Sequence, residues 1–171
     1  MLHIIAMLSV FACCAFAGIR ASSNLRFRKD TMRALLDALT RLSMWMEYTA
    51  QPLSSLAKKA KTEETAVFFD AFIKALKTEE DVLSAWKAAM EQARREDAGF
   101  HALQEEELAI LEEYAQSLGG SDRETQGKNA ALAQQRLGAV LKEAENIYRS
   151  KGRVYRSIGV LSGIAVAILL W

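Results

Sequence analysis

The chain has 171 residues, 51% hydrophobic and 25% charged, with a formal net charge of +1. That length suits one compact domain, and the charged fraction excludes a polytopic protein buried wholly in lipid. Near-neutral charge leaves no electrostatic case for nucleic acid, and one proline with nine glycines excludes a disordered linker.

Every acidic and basic side chain lies between Arg20 and Arg156. The uncharged, apolar stretch 1–19 is about 28 Å long as a helix at ~1.5 Å per residue, close to the ~30 Å hydrocarbon core of a bilayer. It reads as a transmembrane helix. The alternative is a cleaved secretory signal: Ala15-Phe16-Ala17 offers a cleavage site, but no Lys or Arg precedes the apolar run. A lipoprotein site at Cys13 is disfavoured by Phe11, where a small residue is wanted. Cys13 and Cys14, the only cysteines, are adjacent and cannot build a disulfide framework.

Beyond this segment no stretch sustains period-2 alternation, whereas period 3.6 recurs throughout. Met32, Leu35, Leu39, Leu42 and Met46 share one face of a first long helix. Pro52 opens a short second helix over 53–61, a position where its missing N–H costs nothing. A third helix over 63–76 gathers Phe69, Phe72, Ile73 and Leu76. Thr78, with Asp81 three residues on, reads as the N-cap of a fourth that carries Val82, Trp86 and Ala89. A fifth over 100–118 places Leu108, Leu111, Ala115 and Leu118 on one stripe. Gly119 and Gly120 are suited to a left-handed helix end, and Ser121 with Glu124 forms an S-x-x-E capping box for the next helix.

From Asp122 no stop signal occurs before the C-terminus. Ala133, Leu137, Val140, Ala144 and Ile147 keep a seam that runs directly into the apolar tail, which predicts a stem helix entering the membrane. Gly127, Gly138 and Gly152 would each cost that helix about 1 kcal/mol relative to alanine, so they mark either close contacts or bends. The tail 157–171 is about 22 Å long by the same rise, short for a span. Snorkelling Arg153 and Arg156, with Tyr155 and Trp171, would close the gap; the alternative is a buried core helix. The expected fold is therefore all-α: a cytoplasmic antiparallel bundle of about six helices over 20–156, with transmembrane helices at 1–19 and 157–171.

The flanks give the orientation. Arg20, Arg26, Arg28 and Lys29 follow the first apolar segment, and Arg149, Lys151, Arg153 and Arg156 precede the second. The positive-inside rule places the middle in the cytoplasm and both ends outside. The 22 basic residues less these eight leave 14, against 21 acidic ones, a net of −7 over the body. An acidic body with a basic rim suits a domain that stands off an anionic leaflet while its stem meets the head groups.

No catalytic set is visible, and no cofactor or metal site is expected. Gly127-Lys128 resembles the end of a phosphate-binding loop, but Asp122 stands at the first glycine and Asn129 follows the lysine. His3 and His101 are the only histidines and form no metal pair, and Ser162 in GVLSG lacks the first glycine of a nucleophile elbow. The runs Glu105-Glu106-Glu107 and Glu112-Glu113 read as solvated helix faces. Contact surfaces remain. Gly159 and Gly163 form a G-x-x-x-G that lets membrane helices approach closely, and Cys14 and Gly18 repeat the spacing. Asp122, Arg123 and Gln126 open the stem helix and are candidates for partner contact; the alternative role is stabilising the helix end.

Three short signatures carry a family resemblance. They are Glu47-Tyr48 with Pro52-Leu53, the run Leu118-Gly119-Gly120-Ser121-Asp122-Arg123-Glu124 with Gln126, and the ending Tyr155-Arg156-Ser157-Ile158-Gly159-Val160-Leu161-Ser162-Gly163. Ala85-Trp86 matches a fourth, shorter pair. Together they resemble the stage III sporulation protein AB family of endospore-forming bacteria, over nearly the whole chain. Where the family often has a proline before the fifth helix, this chain has Ala98-Gly99. The resemblance implies a membrane component of a channel between mother cell and forespore. It also implies a likeness to the platform protein F of type II secretion and type IV pilus machines, a cytoplasmic six-helix bundle. The implied partners are other stage III channel components, above all the ATPase-like AA protein, with a homo-oligomer also open. The alternative is a membrane-anchored helical sensor or adaptor unrelated to sporulation.

Overall fold

The computed structural model describes residues 2–119 and 123–169. The described residues form seven helices and no strand: α1 (Leu2–Tyr48), α2 (Leu53–Ala60), α3 (Ala66–Ala75), α4 (Val82–Glu96), α5 (Ala98–His101), α6 (Glu105–Leu118) and α7 (Arg123–Leu169). The first apolar segment and the first amphipathic helix are one element, as are the stem and the tail. At 47 residues each, α1 and α7 are rods of about 70 Å.

The two rods lie side by side and antiparallel. Arg33 pairs with Glu145, Gln134 donates to the Leu39 carbonyl, and the Cα of Gly138 faces Leu36. Nearer the termini Ser22 meets Gly152. Helices α2–α6 pack against one half of this pair. Met32, Leu35, Leu39 and Leu42 from α1, and Ala133, Leu137, Val140 and Ala144 from α7, are buried there, as their spacing predicts. Met46 and Ile147, the outermost members of each stripe, are only half-buried.

An aromatic cluster fills the centre. Trp86 meets Phe68 and Phe72 edge-on, at ring separations of 4.7 and 5.2 Å, and Phe68 also contacts Phe69 and Phe100. Tyr114 closes the cluster against Trp86 at 5.9 Å. Such pairs add about 0.5–1.5 kcal/mol each beyond the area they bury.

Three expectations about the helix ends are corrected. Asp81, not Thr78, caps α4: its carboxylate accepts from the Ser84 N–H and hydroxyl. Those bonds hold its pKa below the usual carboxylate value. Thr78 instead donates to the Ala75 carbonyl at the end of the preceding turn. The expected fifth helix is two elements, because Asp97 caps α5 through the Gly99 and Phe100 N–H groups and a second helix begins after Gln104. Gly119 has right-handed φ and ψ of −89° and −3°, not the left-handed conformation expected of it. Gly120, Ser121 and Asp122 lie outside the described residues.

The stripe of α6 is broader than the expected one, which holds at Leu111, Ala115 and Leu118. Ile110, Leu111, Tyr114, Ala115 and Leu118 are buried, while Leu108 is half-buried at the edge. Glu107, expected to face solvent, is fully buried. Its carboxylate accepts from Arg28 of α1 through both Nε and Nη2, and from the Gln104 N–H. In the second acidic run, Glu112 pairs with Lys87 and Glu113 with Arg136, bridging helices at the surface.

Among the described residues, no helix is both long and apolar enough to cross a membrane. Of the expected spans 1–19 and 157–171, residues 2–19 lie at the end of α1 and 157–169 at the end of α7, where the side chains are described only in part. Among those described, Phe16, Ile19, Ile158, Leu161, Ile164 and Ile168 are exposed.

Candidate functional site

A cleft of the bundle lies at the pole farthest from these apolar ends. Its volume is about 730 Å³. The C-terminal turns of α1 supply Ser43, Met44, Met46 and Glu47, the end of α6 supplies Ser117 and Leu118, and the first turns of α7 supply Gln126, Gly127, Lys128 and Gln134. Along α1 the cleft is about 40 Å from residue 19.

Local sequence places these walls. Helix α1 stops at Tyr48, where Thr49 folds back to the Trp45 carbonyl through both its N–H and its hydroxyl. Pro52 follows as the N-cap of α2, with φ −57° and ψ 142°, and the helix starts at Leu53 as expected. On the other wall, Lys128 and Glu124 pair one turn apart on α7. Gly127 lies between them, and a Cβ added to it would meet nothing within 4 Å. Of the two roles expected for it, a close contact is absent among the described residues.

A polar network behind the cleft fixes two of its lining residues, Ser43 and Gln134. Ser43 and the Tyr114 hydroxyl are 2.8 Å apart, Tyr114 donates to the Leu39 carbonyl at 3.2 Å, and the Gln134 amide donates to Ser43 at 2.8 Å. This network ties α1, α6 and α7 together. Burial pushes the Tyr114 hydroxyl up to about 12, against the opposing effect of its hydrogen bond to Ser43. A neutral hydroxyl locked this way positions helices; it is no base at neutral pH.

Of the candidate contact residues, Gln126 is half-buried in the cleft wall and Arg123 begins α7. The Arg123 side chain and Asp122 lie outside the described residues. Gly159 and Gly163 fall within α7, with their surroundings likewise outside them. Sequence reasoning missed Ser43, Tyr114 and Gln134. The usable signal was Tyr114 on the apolar stripe of α6, because a buried hydroxyl requires a partner. Cys13 is exposed and Cys14 half-buried, both as free thiols. No group of metal-ligating side chains gathers among the described residues.

The cleft joins two stretches far apart in the chain, bringing Glu47 to Leu118, Glu124 and Gln126. Each carries one of the three signatures of the sequence. The family model of stage III sporulation protein AB matches residues 3–171. The chain belongs to the stage III sporulation protein AB family. The family member of Bacillus subtilis (strain 168) is 25% identical over 173 residues, covering 99% of both chains. A solved structure of stage III sporulation protein AB is similar with a TM-score of 0.59 and 25% identity, over 71% of this chain and 96% of its own. Membership of the stage III sporulation protein AB family gives the chain a role in sporulation.

Proposed function

We propose that this chain is a non-enzymatic platform in the membrane that holds a secretion-like channel between mother cell and forespore. It joins a cytoplasmic ATPase to the membrane assembly, in the manner of the platform protein F of type II secretion machines. The supporting observation is its polarity: uncharged, apolar rod ends at one pole and a cleft about 40 Å away at the other. In this reading the rod ends cross the mother-cell membrane around the forespore, and α2–α6 lie in the cytoplasm. The exposed Phe16, Ile19, Ile158 and Leu161 then face lipid instead of water.

The proposed partner of the cleft is the ATPase-like AA protein, with Asp122, Arg123 and Gln126 as contacts. Met44 and Tyr48 are exposed beside it, the adaptable and amphipathic residue types that interfaces favour. A role outside sporulation has no support once the family is known.

Full-length chain in detergent, with the AA protein as prey, tests the partner. Gln126→Ala and Asp122→Arg should weaken capture while leaving the thermal midpoint unchanged. Capture equal to the parent in both variants would move the interface away from this pole. Topology is tested separately: a reporter after Trp171 should read outside, and one inserted at Gly120 should read cytoplasm. A cytoplasmic signal from the terminal reporter would remove the two-span reading.

A further inference from the structure

We infer that the stalk carries, where residues 20–29 of α1 lie beside 146–155 of α7, a binding collar for the head groups of anionic phospholipids. It rests on the proposed membrane location and adds which lipid is selected and by which side chains. The register is set by two contacts. Ser22 Oγ lies 3.6 Å from the position of a Cβ on Gly152, and Lys29 Nζ sits 5.2 Å above the Tyr148 ring. Antiparallel pairing therefore brings the two basic flanks, more than a hundred residues apart, to one level.

The structure then sorts those cations into two groups. Arg28 turns inward to Glu107, and Arg26 and Lys29 both pair with Asp30. Arg20, Arg149, Lys151 and Arg153 are exposed and have no carboxylate partner among the described residues. Arg149 and Arg153, four apart, share a face of α7, and Lys151 stands on the opposite side. The cations thus surround the stalk instead of forming a single patch.

The surroundings decide the ligand. Toward the termini the collar borders exposed Phe16, Ile19, Ile158 and Leu161, with Tyr155 between them. Toward the bundle the first acids are Asp30 and Glu145, both already paired. A ligand here meets unneutralised positive charge on one side and an apolar girdle on the other. A phosphodiester head group carried on acyl chains satisfies both. Free phosphate satisfies only the first. Arginine and lysine serve equally as point charges toward a mobile, hydrated head group, so no bidentate geometry is required.

The test uses the full chain reconstituted into phosphatidylcholine bilayers that contain trace spin-labelled phosphatidylglycerol or spin-labelled phosphatidylcholine. Phosphatidylglycerol should associate severalfold more strongly, each collar cation contributing up to about fivefold at low salt. Salt at ~1 M should erase the difference. The variant Arg20→Gln, Arg149→Gln, Lys151→Gln, Arg153→Gln should lose the preference with its circular dichroism unchanged. The same four positions as lysine should retain it, and so should Arg33→Gln, a control beyond the collar. Equal association of both labels with the parent, in a chain that stays in the bilayer after carbonate washing, overturns the collar and leaves the membrane reading intact. A chain that carbonate strips from the bilayer overturns the membrane reading itself. Addition of inorganic phosphate should leave the preference unchanged; competition by it would mark an anion site of another kind.

Discussion

Glu107 shows how much one residue's surroundings decide. In sequence it is one of three consecutive glutamates at the start of a helix, and solvent exposure is the ordinary outcome. In the folded chain it is fully buried against Arg28, which makes the pair a joint between α1 and α6. Removing one partner leaves an unpaired buried charge, so Arg28→Met alone should cost about 3–5 kcal/mol. Arg28→Met with Glu107→Leu should recover most of that loss, and thermal melts of the single and double variants measure the difference. Trp86 belongs to the core by packing alone, since its indole N–H has no acceptor among the described residues. Truncation to alanine should cost about 3–5 kcal/mol. Tyr114 makes a pH prediction. Its folded pKa of about 12 lies above the unfolded value near 10, so the native state holds the proton longer. Stability from this group is complete below pH ~10 and falls as pH rises toward ~12, by an amount on the order of 2–3 kcal/mol. Tyr114→Phe should flatten that part of the stability–pH curve, read by denaturant titration at each pH.

At the scale of elements, two glycines carry opposite expectations. A Cβ on Gly99 would stand 2.0 Å from Thr31 Oγ1 and 3.0 Å from an Asp97 carboxylate oxygen. The chain uses this small residue to seat α5 on α1. Gly99→Ala should therefore lower the melting temperature by displacing α5 or rotating Thr31. Gly127 has open space beside it, and alanine there should raise stability by up to about 1 kcal/mol through helix propensity. If the cleft receives the backbone of a partner, the same Gly127→Ala chain should capture that partner less well. A gain in stability together with unchanged capture would make the glycine incidental. The split between α5 and α6 has a local cause as well. Asp97 and the Gln104–Glu107 pair each start a helix, and two starts seven residues apart cannot belong to one.

For the whole molecule, the antiparallel pairing of α1 and α7 converts a linear charge pattern into an axis. Apolar ends, basic collar, acidic body and distal cleft succeed one another along about 70 Å. Because both rods run through every level, a perturbation at the stalk and one at the cleft share the same two helices. Lengthening α1 by a single alanine after Asn24 would turn Arg20 and the end segment by about 100° against α7 and part Ser22 from Gly152. The apolar ends and the bundle would each stay intact, so circular dichroism should be unchanged, while phosphatidylglycerol preference at the collar should fall.

The amino-acid sequence by itself determined the all-α class, the helical seams on α1 and α7, and the uninterrupted passage of stem into tail. Those features depend on local periodicity and on where charge is absent, and both are written along the chain. The inward positions of Trp86, Phe69, Phe72 and Leu111 followed for the same reason. Only the tertiary structure decided what depends on residues distant in sequence. It set which acid of Glu105-Glu106-Glu107 turns inward, which basic side chains remain unpaired, and that Ser43, Tyr114 and Gln134 meet behind the cleft. A buried ion pair and a three-helix hydrogen-bond network are long-range pairings. Their partners are chosen by how the helices dock, and no helical period records that choice.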